Sequence, residues 1–212
     1  MQKFGKALGY TVLALVVVFG LLRVLLFKTW AVPTTLRLSA SVAPTLDGGD
    51  FVLLLTRGTP GFGDLVRCKD PEDPTQYVVG RIIGVEGDSI EITARSVLVN
   101  GKRYNPVQAC PTRKYQTLHP NTEAEVELEC GVVEMGGGWH YRGQTKSKTS
   151  PSTFKAEVGE GMVYLLSDNI DLYDDSREFG TLERATCKER VVFRFVGKNG
   201  WGDEDARMMV IR

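Results

Sequence analysis

Residues 7–27 read ALGYTVLALVVVFGLLRVLLF, an apolar run broken by one charge, Arg23. At about 1.5 Å of helical rise per residue, such a run matches the thickness of a bilayer core. It is expected to cross a membrane as one helix. The competing reading is a cleaved secretory signal, whose apolar region usually runs about 7–15 residues. Its small-residue site would be Ser41-Val42-Ala43, which is followed by Pro44, a poor cleavage partner. The retained anchor is therefore preferred. Arg23 lies near the end where Lys28 and Trp30 follow, so its side chain can snorkel to the headgroups with Trp30 in the interfacial belt. Lys3 and Lys6 before the span balance Lys28 and Arg37 after it, so charge alone leaves the orientation open.

Beyond Pro33 the pattern changes to short apolar runs separated by Gly, Asp, Asn and Pro. That is the signature of strands and tight turns. Strands are expected at 51–56, 64–68, 77–85, 89–94, 97–99, 126–130, 162–166 and 191–196, with no second helix of the anchor's strength. Asn100-Gly101, between VLV and KRY, is a two-residue hairpin signal because both residues accept positive φ. The chain is 42% hydrophobic, enough for a sizeable core. Its 26 Lys and Arg balance 26 Asp and Glu, which leaves no basic excess for reading phosphates and argues against a nucleic-acid partner. The expected fold class is mainly β behind one transmembrane helix.

Residues 108–152 read as an insertion, being polar, carrying Gly136-Gly137-Gly138 and ending in the low-complexity GQTKSKTSPST. The expected organisation is a short segment 1–6, the anchor 7–27, a β domain in two parts, 28–107 and 153–212, and between them a small β subdomain with a flexible exit. Four cysteines allow three full pairings. Cys110 with Cys130, both inside the insertion, is the preferred bridge, while Cys68 and Cys187 are read as buried free thiols. No pair has the spacing of a zinc site, so neither a metal nor a cofactor is expected.

Ser39 and Ser41 lie in RLSASVAPTLDGGDF, shortly after the anchor, where a serine would work at the membrane surface. On its own, a serine before Ala-Pro-Thr reads as a turn-capping hydroxyl. The segments that follow change that reading: GFGDLVRCKDPEDPTQYVVGRIIGVEGDSIEI, then CGVVEMGGGWHYRG, then SDNIDLYDDSREFG. With the anchor in front, their order and the patterns SxxPTLxxGD and DSRxFG resemble the type I signal peptidases, membrane-anchored serine endopeptidases with a Ser-Lys dyad on a β scaffold. The likeness covers nearly the whole chain.

The resemblance implies roles residue by residue. Ser41 stands at the nucleophile position, and the Ser39 hydroxyl would join the Ser41 N–H in an oxyanion hole. Asp175, Ser176 and Arg177 match the closing motif, whose implied role is a charge-assisted brace beneath the site rather than a solvated salt bridge. The family's proton acceptor is a lysine kept neutral by burial, because an exposed lysine with a pKa of about 10.4 holds its proton. That lysine opens a Lys-Arg-x-x-Gly strand, which here reads Gly80-Arg81-Ile82-Ile83-Gly84. Glycine thus stands where the base is expected, and Arg81 does not replace it because guanidinium stays protonated. The serine that orients the lysine amine falls at Tyr173. Ser167 takes the place of a glycine and Val42 that of a methionine.

Losing one member of a cooperating nucleophile and base can cost about 10⁶ in rate, so residual hydrolysis is expected to be slow. Tyr173 is read as filling the space that a lysine at position 80 would occupy. As a base, its phenol, with a pKa of about 10, would need strong perturbation, and the only two histidines, His119 and His140, lie in the insertion. Glu134 and His140 are read as structural. Ser152-Thr153-Phe154-Lys155 matches the Ser-x-x-Lys of penicillin-binding enzymes but follows Pro151 in a polar linker. The glycine run at 136–138 lacks the Lys-Ser/Thr of a phosphate loop, so nucleotide binding has no support.

The resulting expectation is a signal peptidase-like membrane protein with an extracytoplasmic β domain. It engages signal peptides of exported preproteins beside Ser41 by strand addition and is hydrolytically impaired. An active signal peptidase with an unusual proton acceptor and a non-catalytic membrane-anchored scaffold are the alternatives. The expected partners are the membrane, signal peptides and an active relative of this chain.

Overall fold

A computed structural model of the chain describes residues 2–111, 115–146 and 152–212, and within the N-terminal helix the side chains of 10–18, 20, 21, 25 and 26. The apolar run forms α1 (Gln2–Leu26). Tyr10, Val12, Leu13, Leu15, Val16, Val17, Val18, Leu21 and Leu25 along it are each 51–73% exposed. Among the described residues no helix is long and apolar enough to cross a membrane. The Arg23 side chain lies outside the described residues. The helix stops one residue before the expected boundary because β1 (Phe27–Ala31) pairs residue for residue with 51–55.

The remaining elements are α2 (Leu36–Val42), β2 (Phe51–Leu55), β3 (Leu65–Lys69), β4 (Tyr77–Val85), β5 (Ser89–Thr93), β6 (Ser96–Val99), β7 (Lys102–Arg103), β8 (Gln108–Ala109) and β9 (Tyr115–Leu118). They continue with β10 (Glu125–Met135), β11 (Gly138–Thr145), β12 (Thr153–Glu157), β13 (Met162–Leu166), α3 (Ser176–Phe179), β14 (Leu182–Glu183), β15 (Glu189–Val196) and β16 (Met209–Val210). The chain is mainly β, as its patterning predicts. β4 reads YVVGRIIGV and is buried on both faces, the mark of a central strand, whereas β5 alternates buried and exposed. Asn100 and Gly101 have φ of 51° and 76° and join β6 to β7, as the Asn-Gly signal requires.

The largest sheet runs β1-β2-β15-β3-β4-β13-β14, with β16 beside β15. A second sheet, β12-β5-β6-β7, and a third, β11-β10-β8 with β9 also on β10, stand apart from it. Thr153, placed in a polar linker by its sequence, begins β12 and pairs with Thr93 of β5. Most of the expected flexible exit, 147–151, lies outside the described residues.

β4 places the candidate site. β3 covers one edge from Tyr77 to Arg81, but β13 covers the other only from Arg81 to Val85, so residues 77–80 have no ladder partner there. Val79 packs with Leu38 and Val42 of α2, while Val78 and Ile82 pack with Leu165, Cys68 and Cys187 on the opposite face.

Both pairs of cysteines are bridged. Cys110–Cys130 forms as expected. Cys68–Cys187 corrects the free-thiol reading. The β15–β3 pairing begins with Glu189 opposite Arg67, which brings the two Cα atoms to 4.2 Å, a relation over a separation of 119 residues that strand patterning does not reveal.

Candidate active site

α2 carries both serines, and a helix turns residues two apart away from each other. Ser39 lies against the Gly48 turn, where a Cβ on Gly48 would collide with its hydroxyl. Ser41 is fully buried and its Oγ donates to the Leu38 carbonyl at 3.0 Å. The structure therefore does not bring the two hydroxyls together. Ser41 Oγ is satisfied inside its own helix, three residues back.

Gly80 sits on β4 opposite Val66. Because Val79 meets α2, strand alternation turns the missing side chain at 80 toward the other face. A Cβ there would lie 3.1 Å from Leu165 Cβ and 3.4 Å from the Leu166 carbonyl oxygen. Those atoms, not Tyr173, close most nearly on the space. The Tyr173 ring instead lies under the Arg177 guanidinium, 3.6 Å from its centroid, with Phe154 edge-on at 6.4 Å. Tyr173 is not among the atoms nearest a Cβ at position 80, and its ring packs on Arg177 and Phe154.

The closing segment forms a buried network. Asp175 is fully buried, accepts the Arg177 N–H as the N-cap of α3, and accepts the Ser167 N–H at 2.8 Å. Arg177 Nε and Nη2 reach its two oxygens at 2.9 and 2.7 Å, and Arg177 Nη1 donates to the Ile170 carbonyl. Ser176 Oγ accepts the Leu165 N–H at 2.9 Å. The Arg177 side chain is 2% exposed, so this pair is a buried brace rather than a solvated salt bridge.

Three further residues, which sequence reasoning passed over as parts of the site, join this network to α2. Asn169 is fully buried, with its N–H donating to the Ser41 carbonyl at 3.0 Å and its Nδ2 to the Ala40 carbonyl at 2.9 Å. Asp168 accepts Arg81 Nε and Nη2 at 2.9 and 2.8 Å and the Thr45 hydroxyl at 2.6 Å. Asp168 and Asn169 stand in the SDN of the closing segment and Thr45 in the PTL, so the signal was present in motifs read for their serines. Arg37 adds an exposed clasp from α2 to Asp174 and Glu178, both at 2.8 Å.

Neither His119 nor His140 is hydrogen-bonded to the Ser41 hydroxyl, which bonds the Leu38 carbonyl. His119 Nδ1 accepts the Asn121 N–H in a turn. His140 is buried on β11, its Nε2 3.9 Å from Asp168. Burial, with Arg81 and Arg142 nearby, holds its pKa well below the usual 6.5, so it is neutral at pH 7. Burial also lowers Arg142, to about 10. Glu134 is exposed opposite Trp139. Among the described residues, no amine, imidazole or carboxylate is hydrogen-bonded to Ser41 Oγ.

The family model for signal peptidase, peptidase S26, matches residues 5–196. Signal peptidase I of Pseudomonas fluorescens is 27% identical over 197 residues, 84% of this chain and 62% of that protein. Signal peptidase I P of Bacillus subtilis subsp. natto is 38% identical over 97 residues, 44% of this chain and 49% of that protein. This chain thus spans about half to three fifths of the length of these curated relatives. The crystal structure of a signal peptidase I from Enterococcus faecalis V583 overlaps with a TM-score of 0.37 at 20% identity, covering 63% of this chain and 97% of that one.

Proposed function

The chain belongs to the signal peptidase family, peptidase S26, and from that premise we propose that it holds signal peptides of exported preproteins at the membrane surface without cutting them efficiently. The observation that carries this reading is the state of Ser41. Its hydroxyl is buried and spent on the Leu38 carbonyl, and the neighbouring strand offers glycine where a lysine base would stand. A serine hydroxyl without a proton acceptor is a poor nucleophile.

Strand addition at the edge of β4 is the binding mode proposed; of residues 77–80 only Tyr77 is exposed, so a peptide pairing there has to displace what covers 78–80. The edge lacks a ladder partner on the β13 side, and a peptide adding there gains main-chain hydrogen bonds. In this proposal α1 anchors the chain, an assignment supported by the exposed apolar side chains along it. The β region lies on the extracytoplasmic side, where two disulfides are at home. The insertion 108–152 is a subdomain of this region, and an active family member acting on the held preprotein is a natural partner.

Cleavage of a synthetic signal-peptide substrate by the purified protein, beside Ser41→Ala, tests the reading. Binding without turnover is the expected result. Turnover that vanishes in Ser41→Ala would instead make the chain a working peptidase with another proton acceptor, and absence of binding would leave a scaffold.

A further inference from the structure

We infer that α2 is a displaceable cover: it closes the fork between β4 and segment 167–170, and an extended peptide reaches β4 only by expelling it. The inference rests on the proposed function for its ligand and names what has to move before that ligand pairs.

The fork opens where β13 leaves β4. Leu166 stands opposite Arg81, and the same register continued would set Asp168 opposite Val79. Instead the Asp168 carbonyl accepts the Gly143 N–H at 2.8 Å and the Gly143 carbonyl accepts the Ile170 N–H at 2.9 Å, so the chain swings over to β11. Ile82 makes its backbone bonds with Gly63 and Asp64, on the β3 side. Strand alternation therefore turns the N–H and C=O of Val79 into the fork. Val79 is 1% exposed, yet among the described residues no backbone bond crosses from it to α2 or to 167–170. It is a ladder position left unmet beneath a helix.

α2 fills this fork from bank to bank. Leu38 and Val42 pack with Val79 on one side, and on the other Asn169 donates to the Ala40 and Ser41 carbonyls. Arg37 adds its clasp to Asp174 and Glu178.

The helix has little of its own to keep it. It is seven residues long, and isolated helices shorter than about 12–15 residues are marginal in water. Thr35 at its N-cap makes no side-chain cap bond, and its first turn carries no acid. Ser41 Oγ bonds the Leu38 carbonyl, a local bond that competes with the helix ladder. α2 thus owes its form to the fork, and a peptide strand in the same place takes those contacts over. Unwinding α2 also releases the Ser41 hydroxyl from Leu38, which couples peptide entry to a change at Ser41.

Hydrogen exchange read by mass spectrometry, on the full chain in detergent with and without a synthetic signal peptide, tests the cover, and fluorescence anisotropy of the labelled peptide gives its affinity. The α2 amides should be protected in the free protein and lose that protection when the peptide binds. Arg37→Gly removes the clasp and disfavours the helix. Its α2 should exchange about tenfold faster and the peptide should bind about tenfold more tightly, with β3 and β15 unchanged. Thr35→Asp supplies the missing cap and acid, and should shift both readings about threefold the other way.

A peptide that binds while α2 keeps its protection refutes the cover and leaves the proposed function standing. Affinities that ignore both substitutions while α2 exchange follows them do the same. Binding with α2 protection lost, followed by turnover that vanishes in Ser41→Ala, keeps the cover and refutes holding without cutting. No binding by any of these proteins, with α2 opened in Arg37→Gly, refutes both. Should Arg37→Gly loosen β3 and β15 as well, Thr35→Asp alone decides.

Discussion

Replacing Gly80 by lysine asks whether a base at that position is all that the site lacks. The backbone at Gly80 is not in the left-handed region, so it accepts a side chain, but the new Cβ would meet Leu165 Cβ at 3.1 Å and the Leu166 oxygen at 3.4 Å. β13 must give by a few tenths of an ångström. Overpacking of this kind typically costs about 1–3 kcal/mol, which a domain of ordinary stability, roughly 5–15 kcal/mol, survives. The position of the amine matters more. The stem starts on the Leu165 face, whereas α2 lies on the Val79 face, so the amine would have to pass around the 77–80 edge, which is buried from Val78 to Gly80. Ser41 Oγ would also have to leave Leu38.

A base within reach is worth about 10²–10⁴ in rate, and one out of reach contributes nothing. Gly80→Lys is therefore expected to fold, to lose about 1–3 kcal/mol in denaturant melts, and to cleave no faster than the unmodified protein in single-turnover assays. A gain of about 100-fold or more would refute the strand-face argument, provided that it disappears with Ser41→Ala. Such a gain should also rise with pH through the amine's pKa, since the neutral form is the base.

Asp168→Ala strands Arg81, which is 1% exposed, without its carboxylate and should cost about 3–5 kcal/mol in urea unfolding. A loss below about 1 kcal/mol would place that pair in the weak surface class. His140 has a folded pKa depressed below its unfolded value near 6.5, so the unfolded chain takes up the proton first. Its contribution is complete above pH 6.5 and declines as pH falls toward the folded pKa, by up to about 1.4 kcal/mol per unit. Melts at successive pH values should show a shallower acid decline in His140→Phe than in the unmodified protein. Both cysteines of Cys68–Cys187 are fully buried, while Cys110 and Cys130 are half-buried. Under mild dithiol reduction of the native protein, mass spectrometry should therefore find the Cys110–Cys130 bridge opened first.

The fold was legible where the period was local. The run YVVGRIIGV declared a buried strand, and Asn100-Gly101 declared its hairpin, because each signal is complete within a few residues. β1 was hidden because its sequence, FKTWA, continues the apolar helix, and only its partner 51–55 makes it a strand. The Cys68–Cys187 bridge depends in the same way on a distant pairing of β15 with β3. At the site, motif spacing located Ser41, Gly80 and Asp175 along the chain. It was silent on orientation: that Val79 rather than position 80 faces α2 is a property of the assembled sheet.

The same distinction separates what the motifs say about family from what they say about reaction. Asp175 caps α3 and receives the Ser167 N–H, Ser176 receives the Leu165 N–H, and Asn169 fastens α2 through two carbonyls. Removing any of these leaves buried donors or acceptors unpartnered, at about 1–3 kcal/mol each. The fold itself therefore constrains those residues, whether or not a peptide bond is ever cut. The side chains at positions 41 and 80 join no two elements by a hydrogen bond, although Ser41 is buried and a side chain at 80 would press on Leu165. The Ser41 hydroxyl makes its bond within α2, and glycine at 80 leaves no side-chain polar group to satisfy. A sequence can thus keep the closing motif and its scaffold in a chain that does not hydrolyse, because the motif's buried hydrogen bonds serve the architecture first. Activity is therefore to be read at positions 41 and 80, and turnover measured against Ser41→Ala reads one of them directly.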